Sequence, residues 1–79
     1  MSLRGSDRRD DDEIRGIALQ FLIWDVDVPS DAVDVKVSDG WVTLTGNVSY
    51  QFESNAAYED VAGLYGIYGV TNEIRVVNP

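Results

Sequence analysis

The stretch Val33–Val48, VDVKVSDGWVTLTGNV, decides the fold because two alternating apolar segments flank an Asp39-Gly40 pair. Asp-Gly between such segments is a strong hairpin signal, since both residues can take a positive φ. A two-residue turn there gives one apolar face, on which Val37 lies opposite Val42, Val35 opposite Leu44 and Val33 opposite Gly46. The other face carries the pairs Ser38 and Trp41, Lys36 and Thr43, and Asp34 and Thr45. A one-residue shift would set each valine against a polar neighbour, so the sequence predicts a single register.

A first helix is predicted before this hairpin, from an N-cap at Asp10 to about Trp24. Glu13 is placed to complete a capping box, and the acidic run DDDE suits the positive end of the helix dipole. The residues with the spacing of one buried face are Ile14, Ile17, Ala18, Phe21 and Leu22. Leu19 and Ile23 fall on the opposite, solvent side of this helix, which makes them candidates for contact with a neighbouring domain, a partner or acyl chains.

A second helix and a last strand are predicted after the hairpin. The second strand is expected to end at Gly46-Asn47, and Ser49 to cap a helix over roughly 50–64. Its buried face would contain Tyr50, Ala57, Val61 and Leu64. Phe52 projects outward, either to pack on the preceding loop or to bind a partner. Gly66 is placed as the helix C′ residue, and residues 70–77 read as a strand with Asn72, Ile74 and Val76 on one face.

The order helix, strand, strand, helix, strand predicts an α+β fold. It is an αββαβ open-faced sandwich, in which a three-stranded mixed sheet carries both helices on one face. The helix between the second and third strands allows those two strands to pair in parallel. The uncovered face would expose Trp41, Thr43, Thr45 and Arg75. We expect residues 1–9 to be a flexible tail and residues 10–79 to be a single domain.

The charge of the chain argues against two kinds of binding partner, nucleic acids and anionic membranes. The net charge is −8, and four of the six basic residues lie in the first fifteen positions. The predicted domain therefore lacks the cationic patch that nucleic-acid binding requires, and it is poorly suited to electrostatic docking on an anionic membrane. No apolar run approaches the length that spans a bilayer, and the charged N-terminus contains no signal peptide.

The sequence lacks the residues of common active sites. There is no histidine and no cysteine, no nucleophile elbow, and no glycine-rich phosphate loop. The carboxylates of Asp25–Asp31 suggest calcium, but an EF-hand needs glycine at loop position six and glutamate at position twelve, where Ser30 and Lys36 stand. We therefore predict no catalytic residue, no metal site and no cofactor.

Two segments carry a resemblance to a known family. The strand-turn segment from Val35 to Val48, with its VTLTG strand, and the later segment LYGIYGVTNEI resemble the BON domain, named for bacterial osmotic-stress and nodulation proteins. The resemblance covers nearly everything from Asp10 to Val77, although Ile67 replaces the usual valine. It implies a non-enzymatic module of the bacterial envelope or periplasm that binds phospholipid or other envelope proteins. Three glycines, Gly40, Gly46 and Gly66, look structural.

Two functions follow as expectations. The first is membrane or phospholipid association within an envelope, transport-associated or osmotic-stress protein. The alternative is a protein-interaction or spacer repeat that packs against sister BON domains of a longer chain. Either function would use the same candidate contact residues, Leu19, Ile23, Trp41 and Phe52. Because no signal peptide or spanning segment is seen in this sequence, a cytoplasmic location also stays open.

Overall fold

The computed structural model describes residues 10–77. Its elements are helix α1 (Asp11–Trp24), a short 3₁₀ helix (Ser30–Ala32), strands β1 (Val33–Ser38) and β2 (Trp41–Val48), helix α2 (Gln51–Ala62) and strand β3 (Gly69–Val76). The order αββαβ and the α+β class are confirmed. The predicted tail of residues 1–9 lies outside the described residues.

The hairpin forms in the predicted register. Val37 pairs with Val42, Val35 with Leu44 and Val33 with Gly46. Both turn residues have positive φ, 52° for Asp39 and 83° for Gly40. The backbone N–H groups of these two residues each donate a hydrogen bond of 2.9 Å to the carboxylate of Asp11. The first turn of α1 therefore holds the hairpin turn in place.

This contact changes the interpretation of the acidic run. Asp10 is the N-cap of α1 by position, but its side chain makes no capping hydrogen bond, so the predicted capping box is wrong. Asp11 instead binds the turn, which lies 28 residues further along the chain. Three acidic residues still occupy the first helical turn, where the helix dipole favours them.

The sheet has the order β1-β2-β3, with β2 antiparallel to β1 and parallel to β3. The predicted parallel pairing is confirmed. The predicted end of β2 at Gly46-Asn47 is wrong, because β2 continues to Val48, which pairs with Val76. Gly46 is needed within the strand for two reasons: its φ is 135°, and a Cβ there would overlap the carbonyl oxygen of Ala32.

Both helices pack on one face of the sheet, over a core of small and branched side chains. Ile14, Ala18 and Leu22 supply it from α1, and Ala57 and Val61 from α2. The sheet supplies Val33, Val35, Val42, Leu44 and Val48. The buried line on α1 is thus an i, i+4 ridge, displaced around the helix from the predicted face. Ile17 and Phe21 therefore lie at its edge, whereas Leu19, predicted to be exposed, packs against the core.

The second helix is shorter than predicted. Its N-cap is Tyr50, not Ser49, and the Glu53 carboxylate accepts hydrogen bonds from the backbone N–H groups of both residues. The helix ends at Ala62 with Gly63 as C-cap, so the prediction of Gly66 as the C′ residue is wrong. Gly66 lies in the following loop with a φ of 91°.

The buried face of α2 also contains a polar side chain. Ser54, Ala57 and Val61 are buried, whereas Tyr50, predicted for this face, is exposed. The Ser54 hydroxyl accepts a 3.0 Å hydrogen bond from the side-chain amide of Asn72 on β3. Buried polar groups need such partners, so this bond fixes α2 against the strand.

Side chains also bind the backbone of both edge strands. On β1, the Arg15 guanidinium donates a 3.2 Å hydrogen bond through Nε to the carbonyl of Val35. On β3, the backbone N–H of Ile74 donates a 3.0 Å hydrogen bond to the side-chain oxygen of Asn72. Each bond uses a backbone group of a strand that has only one neighbour.

Candidate functional site

Four exposed apolar side chains lie close together in sequence at the end of α1. Val26 is 96% exposed, Trp24 67%, Ile23 60% and Phe21 39%. We call these four residues the α1 tip. The helix stops here because Asp25 is extended, with its N–H donating to the carbonyls of Phe21 and Leu22. The chain then turns tightly, with a hydrogen bond from Val28 N–H to Asp25 O, and re-enters the core at Val28. Val26 is therefore left at the outside of the turn.

An apolar groove of about 250 Å³ lies between α1 and the segment that follows α2. Its lining residues are Ile14, Ile17, Phe21, Gly63, Leu64 and Tyr65. The ring of Phe21 also stacks on Trp24, with ring centroids 6.3 Å apart and planes inclined by 28°. Phe21 thus links the groove to Trp24, and the groove and these two rings form one apolar surface.

Carboxylates border this surface. The Asp25 carboxylate accepts a 2.9 Å hydrogen bond from the backbone N–H of Asp27, and it lies beside Asp60 at the end of α2. One oxygen of Asp60, Oδ2, is buried without a hydrogen-bond partner. Burial of the carboxyl raises the pKa of Asp60 to about 7, helped by its hydrogen bond with Asp25 and by the negative charges of Asp25, Glu59 and Asp27. The same hydrogen bond, with that from Asp27 N–H, lowers the pKa of Asp25.

The raised pKa of Asp60 predicts a pH-dependent contribution to stability. Between about pH 4 and pH 7 the folded protein keeps this proton, whereas the unfolded chain, with an ordinary pKa of 3.8, has released it. The contribution is therefore fully present below about pH 4 and is lost as the pH rises through about 7. We expect Asp60→Asn to increase the free energy of unfolding by about 1 kcal/mol near pH 8, a value reduced for partial solvent exposure, and to have little effect near pH 4.

Urea denaturation of the native protein and the variant at both pH values checks this expectation. Asp34→Asn is the matched control, because Asp34 is an exposed carboxylate on β1. An Asp60→Asn gain of equal size at both pH values would contradict the role assigned to this proton.

The residues proposed from sequence as a contact surface do not lie together. Ile23 is exposed in the α1 tip, but Leu19 packs against the core. Phe52 is 55% exposed and stacks on Tyr50, with ring centroids 5.7 Å apart, in the first turn of α2. Asp60, which lies beside the end of α1, is eight residues after Phe52 on α2. This spacing corresponds to about 12 Å along the helix axis. The contact role of these residues stays a prediction.

Trp41 lies on the face of the sheet away from the helices. Its indole N–H donates a 2.7 Å hydrogen bond to the hydroxyl of Thr71, and its ring extends over Gly69, where an added Cβ would come within 2.6 Å of ring atoms. The side chain is 46% exposed. These contacts give Trp41 a role in joining β2 to β3, on a different surface from Ile23.

Several residues of the α1 tip and its border are not predicted from the sequence. The spacing of apolar residues predicts Phe21 for the buried face and Trp24 only for the helix end, and Val26 lies among the carboxylates of Asp25–Asp31. The segment IWDVDV does contain a signal, because a helix that ends at Trp24 must leave Val26 in a polar turn. No local signal marks Asp60, since its partner Asp25 is 35 residues away in the sequence.

Among residues 10–77, no group of three or more carboxylate, histidine or cysteine side chains is placed to hold a metal ion. Within the same residues, neither helix is long and apolar enough to cross a bilayer.

The fold is that of a small α+β module with exposed apolar side chains at the end of its first helix. A family model for the BON domain matches residues 10–78, and the chain belongs to the BON domain family. This match covers nearly the whole chain and supports the resemblance read from the hairpin and the last strand. BON domains are non-catalytic modules. The search of curated proteins finds no match.

Proposed function

We propose that this BON domain is a non-enzymatic module that associates with membranes through the α1 tip, within a bacterial envelope or osmotic-stress protein. The main support for the proposal is that four apolar side chains are exposed within six residues. Val26 and Trp24 are the most exposed of the four. Burying apolar surface is favourable by about 25 cal/mol per Å², so a few such side chains entering a membrane interface supply a binding energy of several kcal/mol.

The charge distribution supports apolar insertion over electrostatic attraction. Residues 10–77 contain three basic residues, Arg15, Lys36 and Arg75, and thirteen Asp and Glu residues. None of the three basic residues belongs to the α1 tip or lines the groove. Anionic lipids attract basic segments, which this surface lacks.

The two tryptophans allow a direct test, because Trp24 belongs to the α1 tip and Trp41 lies on the opposite face of the sheet. Trp41→Phe leaves Trp24 as the only indole, and Trp24→Phe leaves Trp41. With phosphatidylcholine vesicles, we expect the fluorescence of the Trp41→Phe variant to shift to shorter wavelength and that of the Trp24→Phe variant to stay unchanged. No shift in either variant, or a shift from Trp41 alone, would count against this proposal.

A second candidate function, contact with a sister domain or an envelope protein, is favoured by Tyr50 and Phe52. These stacked rings are both more than half exposed, at the start of α2. In a longer chain with several BON domains, amide chemical shifts of this helix should differ from those of the isolated domain. Unchanged shifts would exclude a domain contact at this pair.

A further inference from the structure

The face of the sheet away from the helices, which we call the open face, has a charge balance unlike that of the rest of the domain. Its charged side chains are Asp34 and Lys36 on β1 and Glu73 and Arg75 on β3, all exposed. The open face is therefore neutral, although residues 10–77 contain thirteen acidic and three basic residues. Within those residues, none of these four side chains takes part in an ion pair or a side-chain hydrogen bond. Their charges are free to pair with a partner.

The strand register arranges the open face in rows that cross the strands. Asp34 on β1 and Glu73 on β3 flank the same residue of β2, so they form an acidic row. The next row contains Lys36 and two threonines. Arg75 lies beyond the acidic row, and Trp41 lies beyond the row of Lys36. Acidic and basic groups therefore alternate along the strands.

We propose that the open face binds the open face of a second copy of this chain, in a weak dimer with twofold symmetry. Packed sheets lie about 10 Å apart with their strands nearly aligned. A twofold axis that crosses the strands at Val35 sets each strand antiparallel to its counterpart. Asp34 of each copy then faces Lys36 of the other, which gives two identical ion pairs. A twofold interface requires this kind of self-complementary surface.

The same axis brings Arg75 of one copy against Trp41 of the other. The axis crosses β3 at Asn72, and Arg75 and Gly69 are equally distant from that residue. The Trp41 ring lies over Gly69, and its indole N–H is held by a 2.7 Å hydrogen bond to Thr71. Each guanidinium therefore meets the outer face of an indole ring whose orientation is already fixed. Arginine favours this stacking on tryptophan.

The size of the open face sets the strength of the dimer. Three strands about 4.8 Å apart, the longest of eight residues at about 3.3 Å each, cover about 14 Å by 26 Å. This is less than the roughly 800 Å² per partner that stable complexes bury. We therefore expect a dimer at about 1 mM protein that dissociates at about 10 µM, where weak interfaces of this class are not populated.

Analytical ultracentrifugation of the native protein at these two concentrations measures self-association. The Trp24→Phe variant, in which Trp41 is the only indole, reports which surface is used. Its emission should shift to shorter wavelength at the higher concentration, because the second copy covers the ring. A native protein that is monomeric at both concentrations would overturn the inference. Self-association that leaves the emission of Trp41 unchanged would do the same, since it would use another surface.

Two single charge reversals test the ion pairs. Asp34→Lys leaves only positive charge at positions 34 and 36, and Lys36→Asp leaves only negative charge. Each variant alone should self-associate at least tenfold more weakly than the native protein. An equimolar mixture of the two should form a heterodimer, because each positive charge again faces a carboxylate. Circular dichroism establishes that each variant is folded.

Asp31→Lys is the matched control, because it makes the same charge change at an exposed carboxylate outside the sheet. It should bind the Lys36→Asp variant several-fold more weakly than Asp34→Lys does. Equal binding by the two would mean that net charge alone drives association, and the inference would fail. Self-association of Lys36→Asp at the native strength would also overturn it. The outcome is independent of membrane association, since the open face lies on the other side of the sheet from α1.

Discussion

Replacing Gly46 with alanine is expected to lower the free energy of unfolding by about 3 kcal/mol or more. The φ of 135° lies in a region that is essentially restricted to glycine, and the new Cβ would overlap the Ala32 carbonyl oxygen. That oxygen belongs to the backbone just before β1, so it cannot move away without disturbing the pairing of Val33 with Gly46. Urea denaturation followed by circular dichroism measures the loss.

Gly16→Ala is the matched control for this substitution. Gly16 is exposed within α1, and a Cβ there meets nothing within 4 Å. Because alanine favours the helical conformation over glycine, this variant should be more stable by about 0.5–1 kcal/mol. The same glycine-to-alanine change is therefore expected to destabilise the protein at Gly46 and to stabilise it at Gly16. A loss at Gly46 no larger than a few tenths of a kcal/mol would show that β2 tolerates a side chain at this point.

Replacing Leu22 with alanine is expected to cost about 3 kcal/mol. Leu22 is fully buried among the side chains of the core, and truncation both loses apolar burial and leaves a cavity. For a domain of this length the whole free energy of unfolding is about 4–12 kcal/mol, so the variant would be close to unfolding at elevated temperature. The midpoint of urea denaturation is the quantity to measure.

The neighbouring variant Ile23→Ala provides the comparison. Ile23 has the same volume as Leu22 but projects from the α1 tip into solvent, so its truncation should change the free energy of unfolding by less than about 0.5 kcal/mol. Similar losses for both variants would mean that α1 is rotated from the orientation described above.

The sheet could be predicted almost completely from the sequence. Strict alternation around Asp39-Gly40 fixed the register, since any other pairing would have divided the valines between the two faces. The parallel β3 followed from the helix that connects it to β2. The hairpin register and the parallel β3 were predictable because each depends on a pattern within a few consecutive residues.

The helix faces could be predicted less well, because they depend on neighbours distant in sequence. The apolar residues of α1 cover more than half of the helix, so spacing alone does not select which of them face the core. Packing selected the ridge of Ile14, Ala18 and Leu22 and placed Leu19 against the core. It also left Phe21 beside Trp24 at the surface.

The border of the candidate site could not be predicted from sequence at all. It depends on Asp25 and Asp60 meeting across two helix ends, which requires the complete fold. Asp11 is a similar case, since an acidic residue at a helix start has a sufficient local explanation in the helix dipole. Its bonds to the hairpin turn become evident only when α1 is placed against β1 and β2.

The side-chain hydrogen bonds on the two edge strands have a consequence for self-association. An open three-stranded sheet has two edges whose free N–H and C=O groups can recruit strands from other copies, which is a common route to aggregation. Arg15 occupies an acceptor on β1, and Asn72 occupies a donor on β3. Both edges are therefore interrupted near their middle, where a fourth strand would need continuous pairing. Concentrated solutions of this domain should resist growth of intermolecular β-structure, although its core is small.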